Sequence, residues 1–181
     1  MRVLGIDPGS AATGWGLVEL VGGSLRHGGH GVLRTGSGEA APKLGLLAGA
    51  LAELFERERP EVAAVERIFV ARSPRSALVL GQARGVALAV AALAGVPVAE
   101  YTPAEVKRAV TGSGRAAKPQ VQWMVEALLS LPRRPARDAA DALALAICHA
   151  RAGRLRALGA GGRRRSLRDV AAVALRRGAR P

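Results

Sequence analysis

Four acidic residues sit where an otherwise basic chain has least reason to keep them. Asp7 closes the apolar run MRVLGI and Glu66 closes EVAAV, so each carboxylate falls at the end of a β-compatible segment. Asp138 and Asp141 lie three residues apart in the alanine-rich stretch RDAADALALAICHA, a spacing that puts both on one helix face. Two carboxylates about 4 Å apart repel by roughly 4 kcal/mol at an effective dielectric of about 20, so a cluster of four calls for a neutralising cation. Magnesium accepts carboxylate oxygens together with water and phosphate oxygens. Two such ions about 4 Å apart activate a water and stabilise the leaving oxygen of an in-line attack at phosphorus. Each acid taken alone has an ordinary role: a turn residue at Asp7-Pro8-Gly9, a strand-end surface acid at Glu66, helix N-terminal acids at 138 and 141. Their combination in one chain points to metal-dependent phosphate chemistry.

The elements that must position these acids are legible in the periodicity. MRVLGID reads as a strand stopped by Pro8-Gly9, because the residue before proline is pushed to extended geometry and glycine allows a tight turn. Residues 13–20 and 24–35 form two more strands about Gly22 and Gly23, an antiparallel meander. Leu44, Leu47, Leu51 and Leu54 mark an amphipathic helix over 41–57, closed by Pro60. A buried strand at 61–66, a helix at 76–94 and a short strand at 96–101 follow. Two helices at 103–110 and 119–129 each carry a proline near the first position. The glycine-rich link TGSGRAAK between them is expected to be mobile. A last helix runs from Pro135 through Ala150, and Gly153 with the GAGGRRR run breaks it. The expected organisation is an α/β domain over residues 1–152 with a mixed sheet. A basic extension at 153–181 is expected to be partly disordered or to carry a short helix at 167–177 with Ser166 as N-cap.

With 181 residues, one core and one appendage are expected. The single cysteine, Cys148, excludes an intrachain disulfide and four-cysteine zinc sites, and fits a reducing cytoplasm. The start of the chain has no signal-peptide pattern, and the uncharged run at 85–99 is shorter than the roughly 20 residues of a membrane-spanning helix. A cytoplasmic protein without a membrane segment is expected. The net charge of +13, from 27 basic and 14 acidic residues, suits a polyanionic partner, with nucleic acid first. Ten arginines and one acid fall in residues 151–181, which is either a solvated end or a nucleic-acid-binding one.

Five segments, LGIDPGSAATGWG, VERIFV, ALVLGQARG, VKRAVTGSGRAAKPQVQWMV and RDAADALALAICHA, resemble the RuvC family of Holliday junction resolvases in order and spacing, over most of residues 1–152. The resemblance implies an RNase H-like fold, a mixed five-stranded sheet flanked by helices. It implies a homodimer whose two sites nick opposite strands of a four-way DNA junction symmetrically in recombination and repair, leaving 5′-phosphate and 3′-hydroxyl ends. Magnesium or manganese is the implied cofactor, two ions per site, and Asp7, Glu66, Asp138 and Asp141 match the family's metal-binding acids. Lys107 and Lys118, two of only three lysines, match its functional lysines, and Phe69 matches an aromatic that stacks on a base at the opened junction. Arg72, Arg75 and Arg115 are further expected DNA contacts. A junction-binding protein and a branch-migration motor are the implied partners. Trp123 departs from the pattern, standing where many members have histidine, as does Arg67 beside Glu66; the basic tail has no family counterpart.

Other residues rank lower. His27 and His30, in a glycine-flanked strand segment, lack cysteine or acidic partners for a metal. Cys148 reads as a small core residue. The helix at 76–94 is apolar all round, which suits either the core or a dimer interface. Two other functions fit parts of the pattern: a nonenzymatic basic DNA-binding protein, which leaves the acids unexplained, and an RNase H-like RNA-processing nuclease, which shares the strand-end acids. A kinase or ATPase of the actin-like class needs two such domains, and this chain is too short.

Overall fold

The computed structural model describes residues 1–9, 11–36, 38–67 and 74–157. The chain begins with β1 (Arg2–Asp7), β2 (Ala12–Val21) and β3 (Ser24–Arg34), the last two joined through Gly22 and Gly23, whose φ angles of 56° and 84° favour glycine. Then come α1 (Ala40–Glu58), β4 (Val62–Glu66), α2 (Pro74–Leu93), β5 (Val98–Tyr101), α3 (Pro103–Thr111), α4 (Lys118–Leu128) and α5 (Arg137–Ala157). The five strands form one mixed sheet in the order β3-β2-β1-β4-β5. β1 pairs antiparallel with β2 and parallel with β4, and β4 pairs parallel with β5.

Strand alternation divides the core into two layers. Leu4, Ile6, Ala63 and Val65 pack with Leu47, Leu51 and Phe55 of α1 and Ala83 and Ala87 of α2. Val3, Val62 and Ala64 face the other way, against α3, α4 and α5. α5 lies unusually close to the sheet because β1 and β2 present glycines to it. A Cβ on Gly5 would collide with the carbonyl of Ala142, and one on Gly14 with the carbonyl of Asp138. Gly14 is the register partner of Asp7, so the same lane that admits the helix brings its N-terminal acids to the end of β1.

Several features depart from the sequence-based expectation, among them the start of α5 at Arg137 rather than Pro135. β5 begins at Val98 rather than 96, because the Val96 N–H is spent on the Ala91 carbonyl at the end of α2 and Pro97 has no N–H. α5 runs through Gly153 to Ala157, since one internal glycine costs only about 1 kcal/mol in a long packed helix. The link expected to be mobile is held locally. Gly112 caps α3 with φ 82°, and Thr111 Oγ1 donates to the Lys107 carbonyl at 2.9 Å and accepts from Ser113 N–H at 3.2 Å. Cys148 is buried in the core as expected. The expected helix at 167–177 and most of the basic extension lie outside the described residues.

α2 buries Ala83, Ala87, Val90 and Ala91 but leaves Leu78 64% and Leu93 88% exposed. Its segment Ser76–Leu93, of mean hydropathy 1.6, is long and apolar enough to cross a membrane by length and composition, although one face is packed on the sheet. A cleft of about 790 Å³ between α1 and the end of α2, lined by Ala48, Phe55, Val90 and Leu93, extends that apolar surface.

Candidate active site

Asp7 and Glu66 are the last residues of two adjacent parallel strands. Ile6 pairs with Val65, so the next rung sets the two acids level, and alternation turns both toward α5. α5 supplies Asp138 in its first turn, where the helix dipole favours a carboxylate, and Asp141 one turn later. α3 brings Lys107, and its start is fixed by a reciprocal cap: Thr102 Oγ1 accepts from Glu105 N–H at 3.3 Å while Glu105 accepts from Thr102 N–H at 2.7 Å. Lys118 opens α4 and reaches Asp141, Nζ to Oδ2, at 3.4 Å.

A cavity of about 280 Å³ gathers Asp7, Glu66, Lys107, Lys118 and Asp141 from five separate elements. Asp138 does not line it, but its charge acts on Asp7. The Asp7 carboxyl is pushed up to about 7, first by burial, then by the charges of Asp141, Glu66 and Asp138, with Lys118 pulling the other way. Glu66 is raised for the same reasons in the same order: burial, then Asp141, against Lys118. Carboxylates this reluctant to ionise lack positive charge, and the one lysine paired here does not supply enough. Every acidic donor is a carboxylate oxygen, which fits a hard divalent cation. Among the described residues no three acid, histidine or cysteine side chains are gathered tightly enough to enclose an ion as they stand.

The backbone of Glu66 is clamped from two sides. Arg84 of α2 donates Nε–H to the Glu66 carbonyl at 3.3 Å and pairs through Nη2 with Glu100 of β5 at 2.8 Å. Arg67 N–H donates to the Tyr101 carbonyl at 2.8 Å, and its Nε lies 3.7 Å from the same Glu100 carboxylate. Arg84 and Glu100 therefore position a site residue, a role the sequence reading missed. The available signal was Arg84 itself, the one charge in the apolar run from Ser76 to Leu93.

Of the other expected contacts, Arg115 sits exposed in the α3–α4 link, its N–H donating to Ser113 Oγ at 3.3 Å, and does not line the cavity. Phe69 and Arg72 lie outside the described residues, as does the side chain of Arg75. Trp123 projects from α4, 57% exposed.

Residues 3–149 match the profile of a family described as crossover junction endodeoxyribonuclease RuvC. Among proteins of that description, one from Alkalilimnicola ehrlichii is 54% identical over 148 residues, covering 82% of this chain and 90% of its own. Another, from Thiobacillus denitrificans, is 49% identical over 164 residues, covering 91% and 96%. The structure is similar to that of Thermus thermophilus RuvC in complex with a Holliday junction substrate, with a TM-score of 0.81 and 39% identity over 86% of this chain and 96% of that one.

Proposed function

The chain belongs to the RuvC family of crossover junction endodeoxyribonucleases, and from that premise we propose how its own residues carry the reaction. The protein is a metal-dependent endonuclease that hydrolyses phosphodiester bonds and resolves four-way DNA junctions in recombination. The observation that carries the residue assignment is the cavity in which carboxylates and lysines from five elements meet.

Asp7, Glu66, Asp138 and Asp141 would hold Mg2+ or Mn2+, two ions per site, which when bound supply an activated water and neutralise charge gathering on the scissile phosphate. Burial of Asp7 at the strand end keeps its carboxylate preorganised and poorly solvated, so its free energy falls most when a cation arrives. Lys118, paired with Asp141, holds that acid in the cavity and places an ammonium beside the phosphate position. Lys107, on the capped turn of α3, adds a second positive group in the same wall. The surplus of basic residues grips flanking phosphates, Arg72, Arg75 and Arg115 among them, with Phe69 assigned to the DNA by family likeness.

Symmetric nicking needs two such sites in fixed relation. A second copy of this chain packed on the exposed apolar face of α2 supplies it, covering Leu78 and Leu93. Residues 1–152 form the nuclease domain and 153–181 a basic extension; the cytoplasm is the compartment, and a junction-binding protein and a branch-migration motor are the partners that family membership suggests.

The test is a synthetic mobile four-way junction incubated with the protein in Mg2+, in Mn2+ and in chelator, alongside Asp7→Asn. Paired symmetric nicks that need metal and fall at least a thousandfold in the variant are expected. Tight binding without cleavage in any metal, across several junction sequences, would favour a DNA-binding protein with structural acids. Preferential cleavage of structured RNA would favour an RNA-processing nuclease.

A further inference from the structure

His27 and His30 lie on β3, the edge of the sheet, and residues three apart in a regular strand face opposite ways. Here they do not. The β2–β3 register shifts between Leu17 and Val18: Val18 pairs with His27 and Leu17 with Gly29, leaving Gly28 as the extra residue of a bulge. Below the bulge His27 stands opposite Val18, and above it His30 stands opposite Gly16, so both imidazoles emerge on the same side. Both central residues suit glycine. A Cβ on Gly28 would press into the Leu17 side chain at 2.7 Å, and Gly29 has φ 156°. The run His-Gly-Gly-His is thus a device for bringing two rings together.

The rings meet through His27 Nε2 and His30 Nδ1 at 2.7 Å, with centroids 4.9 Å apart and planes tilted by 51°. One ring donates and the other accepts, and burial together with the neighbouring His30 holds His27 below the ordinary imidazole range. Two nitrogens bound at about 2.05 Å to one tetrahedral ion stand about 3.3 Å apart. Opening this pair by about 0.6 Å, within reach of small side-chain rotations, replaces the shared proton with a metal. The β2 rungs opposite, Val18 and Gly16, bring no carboxylate, and two imidazole nitrogens suit a borderline cation better than magnesium or manganese.

We propose that His27 and His30 form a second metal site, separate from the carboxylate cavity, which takes a borderline, nitrogen-preferring divalent cation such as Zn2+, with water completing its coordination. The site stands whether or not the nuclease assignment is right. The third histidine is an internal control: Tyr101 Oη lies 2.7 Å from His149 Nδ1, on the other edge of the fold.

The experiment uses the full chain without an affinity tag, stripped with chelator and then saturated with Mg2+ so that the carboxylates are occupied. Titration with Zn2+ is expected to show one saturable ion per chain. His27→Asn or His30→Asn is expected to weaken it at least tenfold, while His149→Asn leaves it unchanged and the ring 15N signals of only two histidines move. Mg2+-dependent junction cleavage should persist in His27→Asn and His30→Asn, which also reports that they fold. Absence of saturable binding, or equal affinity in all the variants, overturns the site.

Discussion

The carboxylate cavity and the imidazole pair of β3 are assembled by opposite routes. The cavity draws Asp7, Glu66 and Asp141 from positions far apart in the chain, and it exists only because the sheet and α5 are packed. The pair is made within four consecutive residues by one bulge at an open edge. The first concentrates negative charge in a partly buried place and pushes Asp7 up to about 7. The second gathers imidazole nitrogen at the surface and rests on two glycines. A site for hard cations thus places an electrostatic load on the fold, whereas a site for borderline ones asks mainly for local geometry.

The comparison breaks most severely at Gly5. Gly5→Ala drives a methyl into the Ala142 carbonyl and lifts α5 from the sheet. Destabilisation by about 3 kcal/mol or more is expected in chemical denaturation, with loss of junction cleavage but Zn2+ binding retained in whatever remains folded.

The pH dependence of stability separates the two regions by sign. Because Asp7 is raised from 3.8 to about 7, the folded chain holds a proton there that the unfolded chain has already released. As far as this group goes, stability of the chelated protein is therefore greatest at and below about pH 4, and falls as pH rises from about 4 to 7. The slope is at most about 1.4 kcal/mol per pH unit. Asp7→Asn removes its share of that fall and leaves the share of Glu66, and Mg2+ at pH 8 reverses it; thermal denaturation across pH checks both. His27, lowered in the fold, acts in the opposite sense, its contribution fading as pH drops through the imidazole range.

A smaller effect is expected at Arg84. Arg84→Gln frees the Glu66 carbonyl and leaves Glu100 without its closest partner. Cleavage should slow about tenfold, or roughly 1.4 kcal/mol, with a higher Mg2+ midpoint and junction affinity within about twofold. An unchanged metal midpoint would show that the clamp does not act through Glu66. The mildest change is Gly28→Ala. It disturbs the bulge against Leu17, and is expected to lower Zn2+ affinity severalfold with stability reduced by about 1 kcal/mol and cleavage untouched.

Much of the proposed nuclease site was legible in the residues. Asp7 and Glu66 announce themselves as acids ending apolar runs, and Asp138 and Asp141 as acids sharing a helical face; all four sit at the expected elements. Lys107 and Lys118 came from likeness to the family, and both line the cavity. Less visible was that Asp138 would stand back from the cavity wall, because helix phase relative to a neighbouring sheet depends on which glycines admit the helix. The Arg84–Glu100 clamp was hidden because its members lie on a helix and a strand with no shared local pattern. His27 and His30 were read as poor ligands because no cysteine or acid accompanies them, and the bulge that turns both rings to one side left no mark in the residue pattern.

By itself the sequence determined the element types, their order, the chemical hardness of the acidic donors and the basic surplus that suits DNA. These follow from side-chain chemistry and short-range periodicity, which are properties of neighbours along the chain. Only the tertiary structure decided which strand ends stand level, how closely α5 approaches Asp7, where the bulge falls and which carbonyl Arg84 satisfies. Those depend on contacts between distant segments, where backbone register and close packing, rather than residue preference, select one arrangement.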